Sequence, residues 1–238
     1  MSPDAPASFY MNMLKNTDRI SIQVGLSGYS FKLHASEGVL SSTWMTAERI
    51  FTTAEFQRRY DEVDISVFTP KCALIPSQFH DPQYSREALA EVADIQEGDS
   101  VGFVEVPELA SVLVYSNSIG ETLTKVISET VIRTDGSKAR PYPEMYYMLK
   151  ALPSVSEYNK IIASYVDGWL YLVVAQGKSL VLCNAYKAQD FTTAEYFIFL
   201  AMKRLQLNPE VSTISFRTPL LEDEEMSLYR YFKNVEHI

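Results

Sequence analysis

Two stretches of the chain alternate between apolar and polar positions with the two-residue period of a half-buried strand. They are "ISIQVGLSGYSFKLHASEGVL" at 20–40 and "IIASYVDGWLYLVVAQGKSL" at 161–180. In each, apolar runs are broken by a Gly-containing turn. Asp-Gly at 167–168 is a strong hairpin signal, and Ser-Gly at 27–28 a weaker one. The pattern predicts strands near 19–25, 29–35 and 38–45. It predicts a second set near 160–166, 169–175 and 179–186. Aromatic and β-branched residues enrich both sets, as pleated, half-buried surfaces prefer.

The period then changes. "FTTAEF" at 51–56 and "FTTAEY" at 191–196 both read as helix starts. Thr52 with Glu55, and Thr192 with Glu195, have capping-box spacing. The flanking aromatics, Phe51 with Phe56 and Phe191 with Tyr196, have the spacing of a hydrophobic staple. The pattern predicts a short helix from Thr52 to about Tyr60 and a long apolar one over "TTAEYFIFLAMKRLQL". A strand near 63–68 or 211–217 follows each, with a right-handed crossover expected.

Sliding the first copy by 140 positions brings Gly28 onto Gly168, Tyr29 onto Trp169, Phe31 onto Tyr171 and Leu33 onto Val173. Ala35 falls on Ala175 and Leu40 on Leu180. Downstream, "EVDISVFTP" (62–70) matches "EVSTISFRTP" (210–219) after a gap of about eight residues, two helical turns. The order β-β-β-α-β, found twice, predicts an internal duplication.

Between the copies, 81–93 reads as a helix, and 100–106 and 109–116 as strands. "IGETLTKVISETVI" fits helix or strand. The polar, turn-rich "TDGSKARPYP" (134–143) marks a boundary, giving lobes of 1–140 and 141–238. "PEMYYMLKAL" (143–152) reads as a helix entering the second lobe. The tail "EDEEMSLYRYFKNVEHI" reads as a helix with acids at its positive N-terminal end.

Composition narrows the function. The 238 residues are 47% hydrophobic and 21% charged, ordinary for a globular protein. The net charge of −9 and the lack of a Lys/Arg cluster argue against nucleic acid. Cys72 and Cys183 lie in no CxxC motif and read as reduced, buried thiols, although their spacing leaves a disulfide open. His34, His80 and His237 have no ligand spacing, which argues against zinc. The start, "MSPDAPASFYMNMLKNTDR", lacks the pattern of a secretory leader. No apolar run is long enough to cross a bilayer, so a cytoplasmic protein without membrane insertion is expected.

The repeat resembles the duplicated ribonuclease-H-like fold of the actin, heat-shock-chaperone and sugar-kinase superfamily, clearly over 18–75 and 158–220. The chain is also similar to an uncharacterised bacterial family with an actin-like ATPase fold. The resemblance implies an α/β protein of two lobes, the second one short. It also implies where nucleotide chemistry would sit. In that superfamily phosphates lie in the turn after the first strand of each lobe, with an acid placing metal and water.

Against that pattern, Gly25 keeps the Gly position and Ser27 a hydroxyl, beside Gly28. Gln23, however, replaces the acid, and a neutral amide cannot hold a divalent cation as a carboxylate does. In the second copy Ala163 takes the acid position and Tyr165 the Gly position, while Asp167 and Gly168 lie in the hairpin turn itself. The Gly-Gly adenine loop of the resemblance has no counterpart, since the last glycine is Gly177. No Walker-type loop and no nucleophile elbow appears. "DEVD" (61–64) reads as the cap of a loop before a strand, and "EDEE" (222–225) as a solvated helix start.

The residues thus predict vestigial phosphate turns at Gln23, Gly25, Ser27, Gly28, Asp167 and Gly168. No catalytic residue, metal or cofactor is expected, and nucleotide binding is doubtful. Three functions fit. The first is an interaction or scaffold protein with an unknown protein partner, for which aromatic surface is suited. The second is a nucleotide- or small-anion-binding sensor or weak ATPase or kinase. The third is a pair of unrelated modules within a larger assembly.

Overall fold

The computed structural model describes residues 17–35, 38–118 and 121–238. The N-terminal segment read for a leader lies almost wholly outside them. The chain runs β1 (Thr17–Val24), β2 (Tyr29–Ala35), β3 (Gly38–Ser41), β4 (Glu62–Val67) and β5 (Cys72–Pro76). Next come α1 (Ser85–Ala90), β6 (Gly102–Val106), β7 (Ser111–Tyr115), α2 (Glu121–Thr130), β8 (Pro141–Pro143) and α3 (Glu144–Ala151). The rest is β9 (Asn159–Val166), β10 (Trp169–Gln176), β11 (Ser179–Lys187), α4 (Phe191–Arg204), β12 (Thr213–Phe216), α5 (Glu222–Tyr229) and β13 (Asn234–His237).

Contacts divide the described chain into two compact units. One holds the residues up to Val67 with Glu121–Tyr142; the other holds Phe68–Ser118 with Pro143–Ile238. The first unit is built on a sheet of order β3-β2-β1-β4-β8. The strands β1 and β2 form the expected hairpin, and β4 lies parallel to β1. Ile20, Ile22, Val24, Phe31, Leu33 and Ile65 are buried in its core with Ile127 of α2. The second unit has a sheet of order β11-β10-β9-β12-β13, with β9 to β11 antiparallel and β12 parallel to β9. The two five-stranded sheets follow one order. A three-stranded sheet, β5-β7-β6, also belongs to the second unit, with Leu89 of α1 packed on Val112 and Val114.

Several elements differ from expectation, β5 and β8 among them as strands the sequence pattern does not predict. The first-copy helix is absent: residues Ala47–Thr52 and Ala54–Gln57 form two 3-10 turns. Local side chains compete for the carbonyls an α-helix would use. The hydroxyls of Thr52 and Thr53 both donate to the Arg49 carbonyl, and the Tyr60 hydroxyl donates to that of Glu55 at 2.8 Å. Phe56 is held under Tyr29 and Phe31, while Phe51 stays exposed, so no staple forms. The helix expected over 81–93 shrinks to a 3-10 turn, Pro82–Tyr84, followed by α1. The tail is a helix only over α5. Beyond it, β13 pairs in parallel with β12 and completes the second sheet.

The long helix α4 is present, but its cap is not Thr192. Asp190 is the N-cap, and its carboxylate accepts from the Thr193 amide at 2.7 Å. Thr192 and Glu195 then lie inside the helix, and no capping box forms. Ala194, Ile198, Ala201 and Met202 face the sheet at helical spacing. Asp190→Ala is expected to cost about 1 kcal/mol. Thr192→Ala, at an exposed position, stays within about 0.5 kcal/mol. Urea midpoints of the two variants check this, and equal losses would contradict the Asp190 cap. No helix among the described residues is long and apolar enough to cross a membrane.

Candidate functional site

In open α/β sheets ligands collect beyond the carboxyl ends of strands. In the first unit that place is the β1–β2 turn. Gln23 is buried at 5% exposure opposite Ser30, whose hydroxyl donates to the Gln23 Oε1 at 3.2 Å. The Gly25 amide donates to the Gly28 carbonyl at 2.9 Å, closing the hairpin. Ser27 accepts from the Trp44 indole Nε1 at 2.9 Å. The Tyr29 amide goes to the Met45 carbonyl at 2.8 Å. The amides of Gly25 and Tyr29, which a phosphate turn would offer an anion, are thus engaged by the protein itself.

Gly28 is required for packing. At φ 153°, a Cβ there would lie 1.9 Å from the Met45 carbonyl oxygen. The segment after β3 returns over the hairpin as an antiparallel bridge between Tyr29 and Met45, and only a bare Cα lets it approach. Below it the Tyr29 hydroxyl shares a 2.6 Å hydrogen bond with Thr53.

In the second unit the β9–β10 turn is a tight one, with Asp167 at φ 51° and Gly168 at φ 75°. Both central residues in the left-handed region match a two-residue hairpin turn. The Gly168 carbonyl accepts from the Ala188 amide at 2.8 Å. Tyr165 donates through its amide to the Thr218 hydroxyl at 3.0 Å and through its phenol to the Ala188 carbonyl at 3.3 Å. Its ring meets Phe191 edge-on at 5.5 Å. Burial, and then the nearby Glu224 and Asp190 carboxylates, raise the Tyr165 pKa.

The charged centre of this unit was not anticipated. Glu144, the first residue of α3, is fully buried. Its Oε1 accepts from Arg217 Nε at 2.8 Å and from the Ser164 hydroxyl at 2.7 Å. The Arg217 guanidinium also lies 5.8 Å from the centre of the Tyr147 ring. Arg217 directly follows β12, and its amide donates to the carbonyl of Ala163, the residue at the expected acid position. A carboxylate therefore does reach the carboxyl ends of β9 and β12, carried by a helix, and a protein cation already compensates it. The sequence held one signal: "FRTP" against "VFTP" puts Arg217 where the first copy has the apolar Phe68.

The remaining candidates are structural. Asp64 binds Arg19 at 2.6 Å, and Asp61 accepts from Thr134 at 2.7 Å, so "DEVD" holds strand ends together. Glu224 accepts from the Leu221 amide at 2.8 Å at the start of α5. Among the described residues no group of three or more His, Cys, Asp or Glu could hold a metal ion. Cys72 and Cys183 are free and half-buried, and burial pushes the Cys72 thiol up to about 12.

Residues 14–235 match the family model described as "Protein of unknown function (DUF3822)", and the chain belongs to that family. No curated protein matches it in sequence. A Bacteroides thetaiotaomicron protein with an actin-like ATPase fold and unknown function is similar in structure, at TM-score 0.63 and 13% identity. That match covers 95% of this chain and 93% of the other. The PilM-PilN type IV pilus biogenesis complex contains a chain similar at TM-score 0.50 and 12% identity, covering 94% and 88%. The fold is therefore the actin-like ATPase fold.

Proposed function

We propose that this protein is a non-enzymatic interaction or scaffold protein on a degenerate actin-like ATPase fold, acting in the cytoplasm on a protein partner. The observation that carries this reading is the Glu144–Arg217 pair. A magnesium-nucleotide site needs a carboxylate free to hold metal and water. Here the buried carboxylate faces a guanidinium at 2.8 Å, and a divalent cation added beside it would meet like charge. The engaged amides of the first hairpin support the same reading. The similar chain in the PilM-PilN complex belongs to a protein complex, which favours a protein as the partner class.

The shared strand order of the two sheets supports duplicated lobes at 1–140 and 141–238. On that division residues 68–118 are an insertion of the first lobe that packs with the second. The competing reading, a sensor of nucleotides or small anions, draws on the retained turns at Gly25–Gly28 and Asp167–Gly168.

Thermal unfolding with ATP, ADP or GTP, with and without magnesium, separates the two. A ligand at a hundred times its dissociation constant adds about 2.7 kcal/mol, roughly 5–10 °C for a chain of this size. The scaffold reading expects no shift with any nucleotide. A magnesium-dependent shift would replace it by the sensor reading, and phosphate release would then separate sensor from ATPase.

A further inference from the structure

The chain is acidic overall, with a net charge of −9, yet one surface of its second unit is basic and aromatic. On α4, Tyr196 and Lys203 are seven residues apart and so share a face with Phe199 between them. Phe199 meets the Tyr231 ring at 4.9 Å and the Phe232 ring at 5.9 Å. That contact lays the turn after α5, with Arg230, Tyr231 and Lys233, against the last turns of α4. The Lys233 amide donates to the Pro209 and Ser212 carbonyls and fixes the turn there.

Tyr196 is 60% exposed and Tyr231 51% exposed, and Lys203, Arg204, Arg230 and Lys233 are all exposed. None of these four cations makes an ion pair among the described residues. Lys203 and Arg204 complement the negative end of α4. Arg230, the C-cap of α5, stands in the same way at the negative end of that helix, and Lys233 lies beyond both helices.

We propose that this surface docks an acidic, aromatic-containing segment of a partner protein. Charge complementarity selects the occupant. Four cations that make no ion pair among the described residues, in a chain of net charge −9, favour carboxylates. Exposed tyrosines offer rigid apolar area at little entropic cost. The inference rests on the interaction reading above and gives it a place and a partner chemistry.

The test uses the full chain and a fluorescein-labelled random copolymer of glutamate and tyrosine, followed by fluorescence anisotropy. Binding that weakens with added salt is expected, and Lys203→Glu with Arg230→Glu should weaken it by about tenfold or more. Lys125→Glu with Lys178→Glu, charge reversals at other positions, should leave it near wild type, and polyglutamate without tyrosine should bind more weakly. Equal binding by wild type and the first double variant would overturn the proposal, as would no binding of the copolymer. Binding of phosphatidylserine vesicles in place of the copolymer would overturn it in favour of an anionic lipid surface. A nucleotide-induced thermal shift bears on the scaffold reading alone, so the two failures are distinguishable.

Discussion

Glu144→Ala is expected to destabilise the second unit by roughly 3–5 kcal/mol, a large fraction of a domain's stability. The cost is not simply the loss of one contact. The Arg217 side chain is only 16% exposed, and removing its partner leaves a mostly buried charge uncompensated. The Ser164 hydroxyl loses its acceptor as well. Replacing both partners together, Glu144→Gln with Arg217→Met, should recover much of the loss, because a buried pair exchanged as a unit is often nearly neutral. Denaturant unfolding of Glu144→Gln, Arg217→Met and the double variant measures the coupling. A single-variant loss under about 1 kcal/mol would place the pair among ordinary surface ion pairs and remove its claim to fill the site.

Gly28→Ala is expected to cost about 3 kcal/mol or more, through strain that no rotamer can relieve. The obstacle is backbone: the Met45 carbonyl 1.9 Å from the new Cβ, itself tied to the Tyr29 amide. Gly38→Ala is the informative comparison. It has a similar φ of 143°, but nothing lies within 4 Å of its Cβ. Backbone strain is common to both substitutions; the collision belongs to Gly28 alone. Thermal unfolding should show a clearly larger loss at Gly28. Equal losses would mean that the segment around Met45 yields easily and that close packing is not what requires the glycine.

The hairpin strands of both five-stranded sheets were legible because their signal is local. In β9 and β10 apolar runs meet at Asp-Gly, and that turn fixes the register in which Trp169 pairs with Val166. The first-copy helix was misread because nearby side chains take its carbonyls and Phe56 packs against Tyr29 and Phe31, neither of which a capping-box spacing reveals. Phe56 and Tyr60 are four apart, as in a helix, but both are buried, and the Tyr60 hydroxyl takes the carbonyl that the helix needs. The strand β13, "NVEH", is too short to show alternation, and only the free edge of β12 makes it a strand.

The candidate site divides the same way. The loss of acids at Gln23 and Ala163 could be read by aligning the chain with itself. The pair that occupies the second unit joins residues 73 positions apart, and no window of sequence contains both. An arginine closing an apolar strand was the visible trace, and it gains meaning only when Glu144 is placed opposite.

The most direct test of this account is equilibrium dialysis of the intact protein against radiolabelled ATP with magnesium, at ATP concentrations up to about 1 mM, the upper end of ordinary substrate affinities. With Glu144 held by Arg217, no ATP is expected above the protein-free control, for wild type and for the double variant Lys203→Glu with Arg230→Glu alike. One equivalent of ATP retained by the wild type in a magnesium-dependent manner would contradict it, because the Glu144 carboxylate would then serve a metal despite Arg217.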